Sequence, residues 1–79
     1  MNRDEVYQKL TGVFRDVFND QTIEIHDETT AADIPAWDSL EHVWLVASVE
    51  EAFGTKFDMK TVVGMKNVGE MVDILMSRQ

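Results

Sequence analysis

Residues 37–54 read WDSLEHVWLVASVEEAFG, and how this stretch folds decides the arrangement of the rest. Placed at 100° per residue, its apolar side chains fall on two opposite sides of one helix. Leu45, Val46, Val49 and Phe53 take one side, with Ala52 nearby; Leu40, Val43, Trp44 and Ala47 take the other, with Glu51 on their centre line. A single small core accepts only one such face. The second begins beside Ser39 and is edged by Glu41, Glu50 and Glu51, a pattern suited to docking another protein. The competing arrangement folds the preceding loop back over that face, with Trp37 against Trp44. The helix begins at Asp38, which has capping-box spacing to Glu41 with Asp in place of Ser or Thr, and Gly54 stops it.

Working outward, Val6, Leu10, Val13, Phe14 and Val17 recur at three- and four-residue steps and predict a first helix over about residues 3–18. Residues 19–37, NDQTIEIHDETTAADIPAW, have no sustained period and contain the only proline. A loop of this length in a small domain needs anchors, and Ile23, Ile25, Ile34 and Trp37 are the candidates. The alternation from Thr22 to Ile25 allows a short extended piece. Downstream, FDMKTVVGMK predicts a short third helix over about residues 59–64. Asn67 and Glu70 are spaced as a cap for a last helix whose stripe is Val68, Met71, Val72 and Leu75, fraying near Ser77. The expected fold is all-α: one domain over residues 1–79, a four-helix bundle with three long helices, a short third one, and a long loop between the first two.

The charge is divided unevenly. The net charge of −8 lies wholly in residues 18–51, which hold nine acids and no Lys or Arg. Such a field repels nucleic acid and anionic lipid and attracts basic protein surfaces. With no cysteine in the chain, disulfides, thiolate metal sites and cysteine nucleophiles are excluded. No stretch approaches the roughly 20 apolar residues that span a bilayer, and MNRDEVYQKL lacks the apolar run of a signal peptide. A cytoplasmic monomer without a membrane span is expected. His26, Asp27 and Glu28 do not converge on one face, so no metal site is expected. A calcium loop fails because position six, counted from Asp20 or Asp27, is Ile25 or Ala32 where Gly is required. The methionines read as core filler.

Three readings of Ser39 stand side by side. It is a polar first-turn residue, or a nucleophile with His42 as base at i+3, or a modification site. The nucleophile reading lacks a Gly-rich elbow, a second acid behind the histidine and a cavity that excludes water. At a helix start after a long loop, a phosphodiester on Ser39 would meet free backbone N–H groups and the positive end of the helix dipole.

The triplet Asp38-Ser39-Leu40 opening an acid-rimmed helix, with EEAFG closing it at residues 50–54, resembles the acyl carrier proteins, and the resemblance covers essentially the whole chain. It implies that Ser39 is esterified with 4′-phosphopantetheine by a Mg²⁺-dependent phosphopantetheinyl transferase. The thiol of that arm would carry acyl groups as thioesters to acyl-transferring, synthase or ligase enzymes with basic docking surfaces. It further implies that Asp38 sits by the transferase's metal, that Leu40 docks in its pocket, and that Val43, Ala47, Glu50 and Glu51 meet partners. Glu41 and Trp44 share that surface. The protein would then be a covalent shuttle and not an enzyme. The chain departs from the family pattern in having DIPAW where Asp-Leu-Gly is common, Trp44 where many members carry an acid, and Met59, Lys60, Val62 and Val63 on a third helix that is usually acidic. The WDSLEH form resembles discrete carriers of specialised pathways, such as polyketide, nonribosomal peptide or surface-polysaccharide assembly, more than those of fatty-acid synthesis. The alternative from another class is an unmodified acidic adaptor that binds a basic protein through Leu40, Val43 and Trp44.

Overall fold

Asn2 starts the first helix by a reciprocal pair of bonds. Its side-chain oxygen accepts the N–H of Glu5, and the Glu5 carboxylate accepts the N–H of Asn2, so two donors that a helix start leaves unpaired are satisfied. In the computed structural model, which describes residues 1–78, this helix is α1, Arg3–Phe18. It is followed by α2 (Ser39–Phe53), α3 (Met59–Gly64) and α4 (Val68–Ser77), with one 3-10 turn at Ala31–Asp33 inside the long loop. The all-helical architecture is the expected one, and no strand occurs among the described residues. Residues 22–25 pair in no strand; Thr22 lies in a turn, where the Asp20 carboxylate accepts both its N–H and its hydroxyl. Ile23 and Ile25 are nevertheless both buried.

Two helix starts differ from expectation in detail. Asp38 caps α2 from just outside it, its Oδ1 accepting the N–H of Glu41 at 2.8 Å, so the helix begins at Ser39. Asn67 caps α4 in the same way by accepting the N–H of Glu70. The Glu70 carboxylate reaches one residue past the cap, to the N–H of Lys66, and the reciprocal box does not close.

The core forms where α1, α2 and α4 meet. Val6, Leu10 and Phe14 face Leu45 and Val49, while Val68, Met71, Val72 and Leu75 complete the other wall. Met71 is the core filler its spacing suggests, but Met59, at the first position of α3, is 76 % exposed and Met1, ahead of α1, 53 %, so neither fills the core. The helix α2 ends at Gly54, which sits in the left-handed region at φ 63° and returns its N–H to the carbonyl of Glu50.

The long loop is tied to the helices by its backbone. The first turn of α4 has N–H groups without helical acceptors, and the loop supplies them: Val68 donates to the carbonyl of Thr29 and Gly69 to that of Asp27, both at 2.9 Å. Buried Thr29 holds this corner by accepting the N–H of His26 at its hydroxyl. The approach is so close that a Cβ on Gly69 would stand 2.9 Å from the Asp27 carbonyl oxygen. Arg3 spans Asp27 and Asp73 at 2.8 Å each, joining α1, loop and α4, and the Tyr7 hydroxyl donates to the same Asp27 carboxylate. Burial, with this bond second, pushes the Tyr7 hydroxyl up to about 12. The Tyr7 and Arg3 hydrogen bonds hold the Asp27 carboxyl below its ordinary value.

Two glycines should therefore respond oppositely to alanine. Gly69→Ala forces backbone apart and should cost about 1–3 kcal/mol in a urea melt. Gly12→Ala meets nothing within 4 Å and should stabilise α1 by up to about 1 kcal/mol. Asp27 sets a pH dependence. A carboxyl with a lowered folded value stabilises fully above its unfolded value, and that contribution is lost as pH falls through the folded one. Asp27→Asn should thus be less stable than the native chain at neutral pH, and the gap should close on acidification below the ordinary carboxylate range.

Candidate functional site

The first turn of α2 brings the sequence-predicted residues to one end of the bundle. Asp38 is committed to its cap, so Ser39 takes the first helical position and is exposed. Its hydroxyl has no partner among the described residues. The N–H groups of Ser39 and Leu40 lack intrahelical acceptors by position, whereas those of Glu41 and His42 go to the Asp38 side chain and carbonyl.

The two apolar faces of α2 separate as the periodicity requires. Leu45, Val46 and Val49 enter the core, with Phe53 packed against it. Leu40, Val43 and Trp44 are 68, 62 and 63 % exposed, and Ala47 and Glu51 are exposed beside them. The loop does not cover this face. Trp37 turns inward instead, packing edge-on against Phe14 with centroids 5.3 Å apart and lying also against Phe18. A cover of Trp37 on Trp44 is thereby ruled out: the indole fills a gap in the core that the loop must close.

Beside Ser39 a groove of about 550 Å³ opens between α2 and α3. Its apolar walls include Trp37, Val43, Met59, Val62, Val63 and Met65, and Lys66 is the cation in its lining. His42 crosses its inner end. Nδ1 of His42 lies 3.1 Å from the indole Nε1 of Trp37, which donates to it, and Nε2 lies 3.2 Å from the carbonyl of Val62. An accepting Nδ1 places the ring hydrogen on Nε2, which donates to that carbonyl. Both nitrogens are thus engaged away from Ser39, so His42 is not placed to act as its base.

The acids predicted to meet partners divide. Glu51 is exposed and Glu41 half-buried at the edge of the Leu40–Trp44 face, and neither side chain is engaged within the described residues. The Glu50 carboxylate accepts the N–H of Phe57 at 2.8 Å and so fastens the turn after α2. Sequence reasoning missed this duty and the Trp37–His42–Val62 chain. The signal for the second was present in the pairing of an aromatic donor with a histidine across a helix cap. Among the described residues no three His, Cys, Asp or Glu side chains gather as metal ligands, and no helix is long and apolar enough to cross a membrane.

Comparison with known proteins adds an independent line. No family model matches the chain. An acyl carrier protein from Coprothermobacter proteolyticus is 32 % identical over 77 residues, covering 98 % of this chain and 94 % of that one. The solution structure of a holo acyl carrier protein from Geobacter metallireducens is 40 % identical and superposes with a TM-score of 0.85 over 91 % of this chain and 83 % of that one.

The two tryptophans should behave differently on substitution. Trp44→Glu should leave stability within about 0.5 kcal/mol of the native chain. Trp37→Ala should cost about 3–5 kcal/mol. Paired chemical denaturation curves measure both.

Proposed function

The chain belongs to the acyl carrier protein family, and we propose that it carries acyl intermediates on a 4′-phosphopantetheine arm attached at Ser39. The observation that most supports this is the setting of Ser39, an exposed, unengaged hydroxyl at the first position of a helix, beside an apolar groove. The residues present fit such a group. A phosphodiester on Ser39 would face the unpaired N–H groups of Ser39 and Leu40 at the positive helix end, a contribution of about 0.3–1 kcal/mol at an exposed site. Capping holds the neighbouring Asp38 carboxylate on the N–H of Glu41, and Lys66 in the groove lining supplies a compensating positive charge. When bound, the arm supplies a terminal thiol that holds acyl groups as thioesters, a nucleophile that a chain without cysteine does not encode.

The protein's own residues then serve presentation. Leu40, Val43, Trp44 and Ala47 offer an apolar contact surface whose rim carries Glu41 and Glu51, with Glu50 behind it. Partners are a phosphopantetheinyl transferase, for which Asp38 and Leu40 flank the attachment point, and acyl-transferring, synthase or ligase enzymes with basic rims. Charge of this kind raises association rate and selectivity more than affinity. Trp44 and Lys60 of α3 favour partners of a specialised pathway, such as polyketide, nonribosomal peptide or surface-polysaccharide assembly, over those of fatty-acid synthesis. In this reading residues 1–79 act as one cytoplasmic, monomeric carrier domain that binds no nucleic acid and catalyses nothing itself.

Intact mass after incubation with coenzyme A, Mg²⁺ and a broad-specificity phosphopantetheinyl transferase tests the proposal. One phosphopantetheine addition is expected, and none on Ser39→Ala. No addition with several transferases would sink the carrier reading and leave the unmodified adaptor. On the modified protein, Trp44→Glu should lower acyl transfer by its cognate synthase about tenfold or more, as loss of an aromatic anchor does at other interfaces.

A further inference from the structure

The short helix α3 is the least embedded element of the fold. None of its residues is fully buried; Val62 is the one that packs against the core, while Met59 and Val63 are each 76 % exposed. A six-residue helix is not stable on its own, so something beyond its sequence must fix its place. The polar attachment the structure provides is the bond from His42 Nε2 to the Val62 carbonyl, 3.2 Å long. That carbonyl belongs to the last turn of α3, where helical acceptors lack partners.

We infer that His42 is a positioning residue, a clasp that holds α3 against α2 and thereby sets the shape of the groove beside Ser39. Its own orientation comes from Trp37, whose indole donates to Nδ1 with the two ring planes 25° apart and their centroids 5.9 Å apart. Trp37 is in turn fixed by Phe14 of α1. A connected series of contacts therefore runs from the core to the α3 side of the groove: Phe14, Trp37, His42, Val62. Breaking it at His42 frees α3 while leaving the contacts among α1, α2 and α4 in place. The purpose of the groove rests on the carrier reading above, but the clasp is a property of the unmodified chain and is tested on it.

Amide hydrogen exchange of the full unmodified chain reads the effect. His42→Ala should speed exchange at residues 62–64 about fivefold or more, the loss expected for one net hydrogen bond. The amides of Leu10 and Val72 should keep their native protection. His42→Gln provides an acceptor and a donor on one side chain and should return residues 62–64 to within about twofold of native. Native exchange at residues 62–64 in a folded His42→Ala chain would overturn the clasp. A Gln variant that behaves like Ala would overturn it too, assigning the effect to ring packing. If the Ala variant loses protection throughout, the native chain decides. Its long-range ¹H–¹⁵N spectrum should show His42 protonated on Nε2 and accepting at Nδ1, and a ring protonated on Nδ1 instead would refute the arrangement. None of these outcomes depends on whether Ser39 accepts a phosphopantetheine, so failure here and failure of the carrier reading are separable.

Discussion

Burial of Trp37 is the constraint on which the site depends. The indole is the last anchor of a loop longer than any one of the helices, and it is 7 % exposed. Its ring closes the core against Phe14 and Phe18, but burial of an indole also requires an acceptor for its N–H. His42 is that acceptor, and an unpaired donor there would cost about 1–3 kcal/mol. The chain therefore arrives at Asp38 and Ser39 from a fixed point just upstream, and the first turn of α2 is held from its own second turn. Ser39 is exposed, yet the backbone that presents it is fastened on both sides. An exposed hydroxyl on a fastened backbone suits the attachment of a flexible group proposed for Ser39.

The helices were legible in the sequence because their signals are local. Asn67 and Asp38 announce helix starts by chemistry that acts over three residues, and Gly54 marks a stop for the same reason. The choice between the two faces of α2 was legible in outline, since Leu45, Val46 and Val49 combine with the stripes of α1 and α4 into one core. What the sequence left open was decided by long-range approach. Thr29 belongs to no motif in the loop, but its carbonyl completes the first turn of α4 some forty residues later. Gly69 is small because the loop backbone passes against it, which no window around residue 69 records. The Glu50 carboxylate also serves the N–H of Phe57, a duty that its place in the acidic rim does not record. Each of these pairs becomes visible only when packing sets the distance.

The same geometry refines the meaning of the acidic middle of the chain. Its nine acids read as one field, but five are bound into the structure. Asp20 serves Thr22, Asp27 serves Tyr7 and Arg3, Asp33 serves Thr30, Asp38 serves Glu41, and Glu50 serves Phe57. Most of these bonds close turns or helix starts, where a carboxylate accepts backbone N–H groups better than a neutral side chain does. Among the described residues Glu24 and Glu28 remain without a partner on the loop, and Glu41 and Glu51 on α2. Under the proposed function, the unengaged carboxylates beside Leu40, Val43 and Trp44 narrow to Glu41 and Glu51 among the described residues.

That narrowing bears on how an exposed apolar face is tolerated at all. A helix apolar on opposite sides is ordinarily buried on both, and one left open invites self-association. Here every copy carries the same net charge of −8, so two identical faces approach against repulsion, while a basic partner approaches with attraction. The discrimination is between partners of opposite sign, and it costs the fold little because most of the acids also close turns. In the proposed docking role Trp44 adds what charge cannot, a large rigid contact surface. Under that proposal charge governs how fast partners arrive, and the indole which of them stay.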